Sequence, residues 1–307
     1  MSGQPYGFSL RGLKHILTSW LVRAVAWSVR IMPASWLEGL SRLLAALIVL
    51  LTPRRQAIAA DNIRQVLGEG LSERRVRQIR RECVRNLTRA MLTLLRLPVM
   101  SREEIIERVP VKGWEYVEQA LARGKGVLSV TGHFGNWELL GARAVAQGYR
   151  LVVIARDAAH SATAQVVNMA RESAGVEVIG RGDAAAMLRT LRANGLLGIV
   201  PDQHVAEGGI VVDFMGRPAM TATGPASLAA RTGCAAVPGF CRYQPDGSLQ
   251  MEILPPLDLV DSGDRDHDIR ANTQLINDAI GDYIRKYPEQ WLWLHRRWKV
   301  NGTGPDE

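Results

Sequence analysis

Cysteine is scarce in this sequence and follows no binding pattern. The 307 residues include Cys83, Cys234 and Cys241, which form no Cys-x-x-Cys pair and have no zinc-like spacing to the six histidines. This pattern excludes a disulfide scaffold and a zinc module. Sparse, unpaired cysteines are typical of a reducing compartment, so we expect buried thiols in a protein body that faces the cytoplasm.

Long hydrophobic runs and a disordered composition are also missing. Hydrophobic residues make up 47% of the chain and charged residues 22%, which is ordinary for a folded body. The mean hydropathy of -0.03 excludes a polytopic membrane protein. The chain is long enough to bury a substantial core, as one large domain or two small ones.

Acidic residues are scarce only in the N-terminal third. Residues 1–112 contain 19 Lys and Arg against 8 Asp and Glu, whereas the remaining residues contain 19 against 22. This asymmetry indicates attraction to a polyanion, either nucleic acid or an anionic lipid surface. Residues 54–108 contain no aromatic residue that could stack on bases. We therefore expect an anionic membrane surface as the partner. Binding to nucleic acid is supported only by the positive charge, and we do not expect it.

Residues 1–52 are predicted to form helices that associate with a membrane. From residue 13 to 31, apolar residues that include Trp20 and Trp27 recur at helical spacing, while basic residues interrupt what would otherwise be a span. Residues 43–51 are wholly apolar but fall short of the roughly 20 that a span needs, and a longer tilted span would bury Glu38 and Arg42. We favour attachment to the membrane surface over a span, with ordinary core helices as the alternative.

The rest of the chain is predicted to form a basic helical segment at 53–110, an α/β domain at 111–300 and a tail at 301–307. Helical stretches with N-caps at Asn136, Ser161 and Asp183 follow apolar runs that are typical of buried strands. A hairpin is predicted later in the chain. The predicted strands are 127–130, 151–155, 176–179, 196–200 and the hairpin pair 236–241 and 249–254. We expect an α/β fold with a central, largely parallel sheet flanked by helices.

His133 is the strongest candidate for a functional residue. It follows the strand at 127–130, and ligands bind at the carboxyl ends of strands in parallel α/β sheets. Glu138 lies in the first turn of the next helix and can fold back toward it. The two side chains then form a general base and the carboxylate that fixes its tautomer. The alternative is a capped strand–helix turn whose histidine only bonds a carbonyl group.

No catalytic serine accompanies this pair. The sequence has no Gly-x-Ser-x-Gly motif, and Ser129 lies inside the predicted strand. The nucleophile should therefore come from the substrate. A histidine–carboxylate pair of this kind suits the activation of an acceptor hydroxyl for direct attack on an acyl thioester.

The segment Gly132-His133-Phe134-Gly135-Asn136-Trp137-Glu138 resembles the HX4(D/E) signature of glycerolipid acyltransferases, in the form found in the lipid A lauroyl/myristoyl acyltransferase family. Further segments agree in order, and the likeness covers residues 110–300 well and the N-terminus more loosely. These segments are 155–157, 201–203, 214–217, 224–226 and 288–299.

The resemblance implies transfer of a fatty acyl chain from acyl carrier protein or acyl-CoA to a hydroxyl of a lipid A precursor. It implies no metal and no other cofactor, and a location at the cytoplasmic face of the inner membrane. The signature also fits phosphatidylinositol mannoside acyltransferases. A non-catalytic membrane-binding homologue is a further alternative, although the presence of both His133 and Glu138 speaks against it.

Four more residues are predicted to bind substrate. Arg156 follows a strand end, where a guanidinium can hold an acceptor phosphate or developing negative charge. Asp202 is expected to orient the site or to cap a turn. The remaining two are Asn136 and Arg217. In the C-terminal run 291–299, the tryptophans and arginines are expected to bind headgroups or carrier protein. In the alternative, the tryptophan rings pack in the core and the arginines are solvated.

Overall fold

The computed structural model describes residues 10–68, 70–155 and 161–299, with the backbone alone for residues 10–19 and 21. The N-terminal part consists of helices, and the remainder alternates strands and helices. The helices are α1 (Leu10–Ile31), α2 (Ala34–Leu51), α3 (Pro53–Leu67), α4 (Glu73–Arg96), α5 (Arg102–Arg108), α6 (Trp114–Leu121), α7 (Trp137–Ala146), α8 (Ala162–Ser173), α9 (Ala184–Arg192), α10 (Gly224–Thr232) and α11 (Arg265–Lys286), with short 3-10 turns at Leu97–Val99 and Pro288–Gln290.

Seven strands form the central sheet in the order β1-β9-β8-β2-β5-β3-β4, and β6 and β7 form a separate antiparallel hairpin. Among the described strands of the large sheet, β8 and β9 alone pair antiparallel, so the predicted α/β fold with a largely parallel sheet is confirmed. The strands are β1 (Val111–Lys112), β2 (Val127–Val130), β3 (Leu151–Ala155), β4 (Glu177–Gly180), β5 (Leu196–Ile199), β6 (Gly209–Phe214), β7 (Arg217–Ala222), β8 (Ala235–Tyr243) and β9 (Leu249–Ile253).

Local sequence signals set the helix starts. The side chains of Ser72, Asn136, Ser161 and Asp183 each accept a hydrogen bond from a backbone N–H in the first turn of the helix that follows. Such bonds satisfy groups that have no partner within the helix. The predicted N-caps are therefore confirmed.

Helices cover both faces of the sheet, because successive residues of a buried strand point to opposite sides. Leu128 and Val130 pack with side chains from α9, α10 and α11, whereas Val127 packs with side chains from α5, α6 and α7. Helix α4 contacts α2, α7 and α8. The basic segment at 53–110 thus packs onto the α/β body, and the domain boundaries at 52, 110 and 300 stay predictions.

Helices α1 and α2 expose much apolar surface. Among the described residues, α2 is the one helix long and apolar enough to cross a membrane, with a mean hydropathy of 1.7 and 11% of its residues buried. Its Glu38 carboxylate pairs with Arg42, Arg85 and Arg89. Burial would raise the pKa of Glu38, but the hydrogen bond from Arg85 and the charge of Arg89 lower it. The N-terminal half of α2 is therefore tied to α4.

Candidate active site

His133 lies where the chain leaves β2 at the carboxyl edge of the sheet. Glycines on either side allow this position. A side chain at Gly132 would place its Cβ 3.1 Å from an oxygen of Asp202, and one at Gly135, whose φ is +54°, would overlap the Cys241 carbonyl. The loop therefore brings its backbone close to two neighbouring segments.

Asp202 is the carboxylate that orients His133. It follows β5, which is the parallel neighbour of β2, so both residues leave the sheet at adjacent strand ends. Its Oδ1 lies 2.7 Å from His133 Nδ1, and its Oδ2 accepts hydrogen bonds from the His133 backbone N–H at 2.6 Å and from Trp291 Nε1 at 2.8 Å. The side chain of Asp202 is only 1% exposed. Nε2 of His133 is therefore the ring nitrogen that Asp202 does not bind.

The two side chains shift each other's pKa. Burial would lower the pKa of His133, but the charge of Asp202 and its hydrogen bond outweigh this effect and raise it. Burial would likewise raise the pKa of Asp202, while His133 and the bond from Trp291 lower it. Asp202 is thus an anion that stabilises a protonated imidazole, as a general base requires.

The prediction that Glu138 orients His133 is wrong. The Glu138 carboxylate is 2.8 and 2.6 Å from Arg171 Nε and Nη2, and Trp137 Nε1 donates to it at 2.9 Å. Glu138 lies on the side of α7 that faces α8. The ring of Trp137 lies beside the ring of His133, and the two ring centroids are 5.3 Å apart. Glu138 therefore supports the wall of the site from behind Trp137 and adds a longer-range charge that raises the pKa of His133.

Replacing Glu138 with glutamine should destabilise the protein. The side chain is 6% exposed, and loss of its charge leaves the half-buried Arg171 guanidinium without a charged partner. We expect the free energy of unfolding to fall by about 3 kcal/mol in chemical denaturation. The control is Glu177→Gln, which removes the exposed pair with Arg150 and should cost under about 1 kcal/mol. Equal losses in the two variants would contradict a structural role for Glu138.

The other sequence-predicted residues are not gathered around His133. Asn136 is fully buried, where it caps α7 and donates to the Tyr243 hydroxyl at 3.1 Å, so the prediction that it contacts substrate does not fit. Arg217 begins β7 and its guanidinium lies over the Trp298 ring, 5.4 Å from the centroid. It does not line the cavity at His133. Arg156 lies outside the described residues.

The C-terminal segment closes over the His133 loop, a contribution that the sequence does not reveal. The Leu292 N–H donates to the His133 carbonyl at 3.1 Å, and Gly135 donates to the Gln290 carbonyl at 2.8 Å. The rings of Trp291 and Trp293 are buried, as one of the two alternatives predicted. Arg297, however, is also fully buried and donates to Met220 and Thr221, so it is not solvated.

Gln203 stands at the reactive nitrogen of His133. Its side-chain nitrogen lies 3.4 Å from His133 Nε2, where a substrate hydroxyl would bond.

Within the described parts of the chain, no group of three or more His, Cys, Asp or Glu could hold a metal ion.

Two cavities meet the sheet edge near His133. One has a volume of about 520 Å³, lies between α9, α10 and the sheet, and contains His133, Gln203 and His204 in its wall. The other is narrow, about 80 Å³, and runs between α7 and the sheet with mostly apolar walls. Trp137 and Glu138 line its upper end, beside the His133 ring. The site thus has room for a polar group and, separately, for a slender apolar one.

A histidine–aspartate pair at the carboxyl edge of a parallel sheet, beside a mixed cavity and a narrow apolar one, defines a class of proteins equipped for general-base chemistry. Residues 7–300 match the family model described as bacterial lipid A biosynthesis acyltransferase. The chain belongs to this family, and the resemblance in the sequence is confirmed.

Curated relatives include two kinds of acyltransferase. The lipid A biosynthesis lauroyltransferase of Escherichia coli (strain K12) is 26% identical over 297 residues, which cover 93% of this chain and 92% of the relative. The lipid A biosynthesis acyltransferase of Haemophilus influenzae is 23% identical over 223 residues, 72% of this chain and 68% of the relative. A phosphatidylinositol mannoside acyltransferase of Mycobacterium tuberculosis (strain CDC 1551 / Oshkosh) is 29% identical over 213 residues. That match covers 67% of this chain and spans 65% of the mycobacterial relative.

Proposed function

We propose that this protein transfers a fatty acyl chain from a thioester, on acyl carrier protein or CoA, to a hydroxyl of a lipid A precursor. The observation that carries this proposal is His133, held by Asp202 with its Nε2 toward the larger cavity. The family match and the near full-length likeness to a lipid A lauroyltransferase support the acceptor class. A phosphatidylinositol mannoside is the second candidate acceptor, favoured by the mycobacterial relative.

The proposed reaction is a direct transfer. The acceptor hydroxyl takes the position of Gln203 at His133 Nε2 and gives up its proton as its oxygen attacks the thioester carbonyl. The new carbon–oxygen bond forms, the carbon–sulfur bond breaks, and the proton leaves with the thiolate. Asp202 stabilises the imidazolium that exists between these two steps, which is the role that its buried charge and 2.7 Å bond fit.

Mass spectrometry of the reaction products tests the proposal. Purified full-length protein is incubated with acyl carrier protein or CoA thioesters and either a lipid A precursor or a phosphatidylinositol mannoside. We expect one added acyl chain on the lipid A precursor. An acyl chain added only to the phosphatidylinositol mannoside would identify that lipid as the acceptor instead. No transfer to either lipid would overturn the proposed acyltransferase function.

We propose that the narrow cavity widens beyond the about 80 Å³ that it has in this structure and holds the acyl chain. Its walls are mainly aliphatic, and each methylene buried there contributes roughly 0.8 kcal/mol. Its upper end lies beside His133, so a carbonyl at the imidazole can have its tail in this cavity. Ala144, which lines the cavity two turns along α7 from Trp137, lies about 10 Å further in.

Replacing Ala144 with leucine should shorten the preferred chain. The larger side chain fills the lower part of the cavity, so the ratio of kcat/KM for long over short acyl donors should fall by about tenfold or more. Competition assays with mixed donors measure this ratio. Ala185→Leu on α9, exposed and outside both cavities, is the control. An unchanged ratio in Ala144→Leu would assign the acyl chain elsewhere.

Attachment to the cytoplasmic face of the inner membrane is proposed to occur through α1 and α2. Trp20, Trp27 and Trp36 are each more than 60% exposed, and so is the apolar C-terminal end of α2. Such rings and apolar side chains bind at the lipid interface. Because Glu38 ties α2 to α4, we propose surface attachment rather than a span. Alkaline carbonate washing should release the protein from membranes, whereas a spanning helix would retain it.

A further inference from the structure

The larger cavity beside His133 carries positive charge that the proposed transfer does not use. Among the described residues, its titratable lining consists of His133, His204, Arg181 and Arg231. None of the described residues in its wall is an aspartate or glutamate, and Asp202 lies behind His133 with a side chain 1% exposed. The cavity is therefore suited to an anionic ligand.

The two arginines come from different parts of the fold. Arg181 directly follows β4, so it lies at the carboxyl edge of the sheet with His133. Arg231 lies in the last turn of α10, a helix that begins after β7 and leads into β8, whose first residue pairs with the first residue of β2. Helix α10 thus runs away from the carboxyl edge. From Gly224 at its start, which also lines the cavity, Arg231 is about 10 Å along the helix axis.

Neither arginine is paired with another residue that the structure describes. In the described portion of the structure, Arg181 and Arg231 have no ion pair and no hydrogen bond from their side chains, whereas Arg171 and Arg150 pair with glutamates. The cavity lining also includes apolar side chains, such as Met187, Val205 and Leu228. Both arginines are exposed, and basic groups that line one cleft together raise the local concentration of anions there.

We propose that Arg181 and Arg231 form a phosphate-binding subsite, which recognises the phosphorylated part of the substrate whose reactive group lies at His133. This rests on the proposed function, because that function places a substrate in this cavity. Guanidinium groups bind phosphoryl oxygens through paired hydrogen bonds. The phosphoryl group belongs either to a sugar phosphate of the acceptor or to the phosphopantetheine arm of the donor, and the chemistry of recognition is the same.

Binding measurements with small probes test the subsite without acyl transfer. The full-length protein in detergent is titrated with glucosamine 1-phosphate and glucosamine, and with 4′-phosphopantetheine and pantetheine, by isothermal calorimetry. In the unmodified protein, we expect the phosphorylated member of one pair to bind at least about tenfold more tightly than its counterpart. The pair that shows this preference identifies the source of the phosphate.

Arg181→Gln and Arg231→Gln should each remove most of this preference. The matched control is Arg192→Gln, because Arg192 is also exposed in the last turn of a helix, α9, but does not line the cavity. It should keep the preference. No preference in either pair, or equal losses in Arg192→Gln and Arg231→Gln, would overturn the subsite. A retained preference in a protein that transfers no acyl chain would overturn the proposed function instead.

Discussion

Replacing His133 with alanine should lower the rate of acyl transfer by about 10²- to 10⁴-fold, because the acceptor hydroxyl loses its general base. The fold should persist, since Asp202 keeps its hydrogen bonds from the residue 133 backbone N–H and from Trp291. Product formation under saturating donor and acceptor measures the effect on kcat. Thermal unfolding of the same preparations shows whether the variant is folded.

A second histidine provides the control for this variant. His267 has a side chain that is 61% exposed and lies in the first turn of α11, so His267→Ala should transfer acyl chains at the normal rate. Near-normal transfer by folded His133→Ala would contradict the role of His133 as a base. A loss of folding in His133→Ala would show instead that its bond to Asp202 holds the strand ends together.

Replacing Asp202 with asparagine should cost a similar factor, roughly 10²- to 10⁴-fold, for a different reason. The asparagine amide can donate to His133 Nδ1, which holds the ring proton on Nε2 and leaves no lone pair there for the acceptor hydroxyl. The carboxylate in the protein has the opposite effect, because it accepts at Nδ1 from 2.7 Å. The drop should appear in kcat, with little change in thioester binding.

The pH dependence separates this explanation from simple misfolding. His133 is a base only when neutral, and Asp202 raises its pKa above the ordinary 6.5, so activity should rise with pH through a midpoint above 6.5. Without the negative charge the pKa of His133 falls, and the residual activity of Asp202→Asn should rise at lower pH. The control Asp261→Asn, at an exposed position, should leave the profile unchanged. An identical midpoint in Asp202→Asn would contradict the coupling.

Much of the framework could be predicted from the sequence because its signals are local. Apolar runs and N-cap residues place β2, β3, β4 and β5, and the starts of α7, α8 and α9, to within a residue or so. The position of His133 at a strand end follows from the same pattern. The hairpin β6–β7 was not predicted. It turns through Met215 and Gly216, both at positive φ, within a segment that the sequence marked only as part of a family resemblance.

The partner of His133 could not be read from the chain because it depends on strand order. Glu138 is five residues away in sequence, yet α7 carries it to Arg171 on another helix. Asp202 is 69 residues away and becomes the partner only because β5 lies next to β2 in the sheet. Spacing along one chain does not give the order of parallel strands, and it gives still less information about Trp291, which bonds Asp202 across 89 residues.

The closure of the His133 loop by residues 290–292 has a consequence for biosynthesis. A nascent chain that has been made only as far as α11 contains every strand of the sheet, together with His133 and Asp202. It lacks the Gln290 carbonyl that binds Gly135, the Trp291 donor to Asp202 and the Leu292 N–H that binds the His133 carbonyl. We therefore expect the site to be completed only after the C-terminal segment has left the ribosome, so that a ribosome-bound chain ending at α11 is inactive.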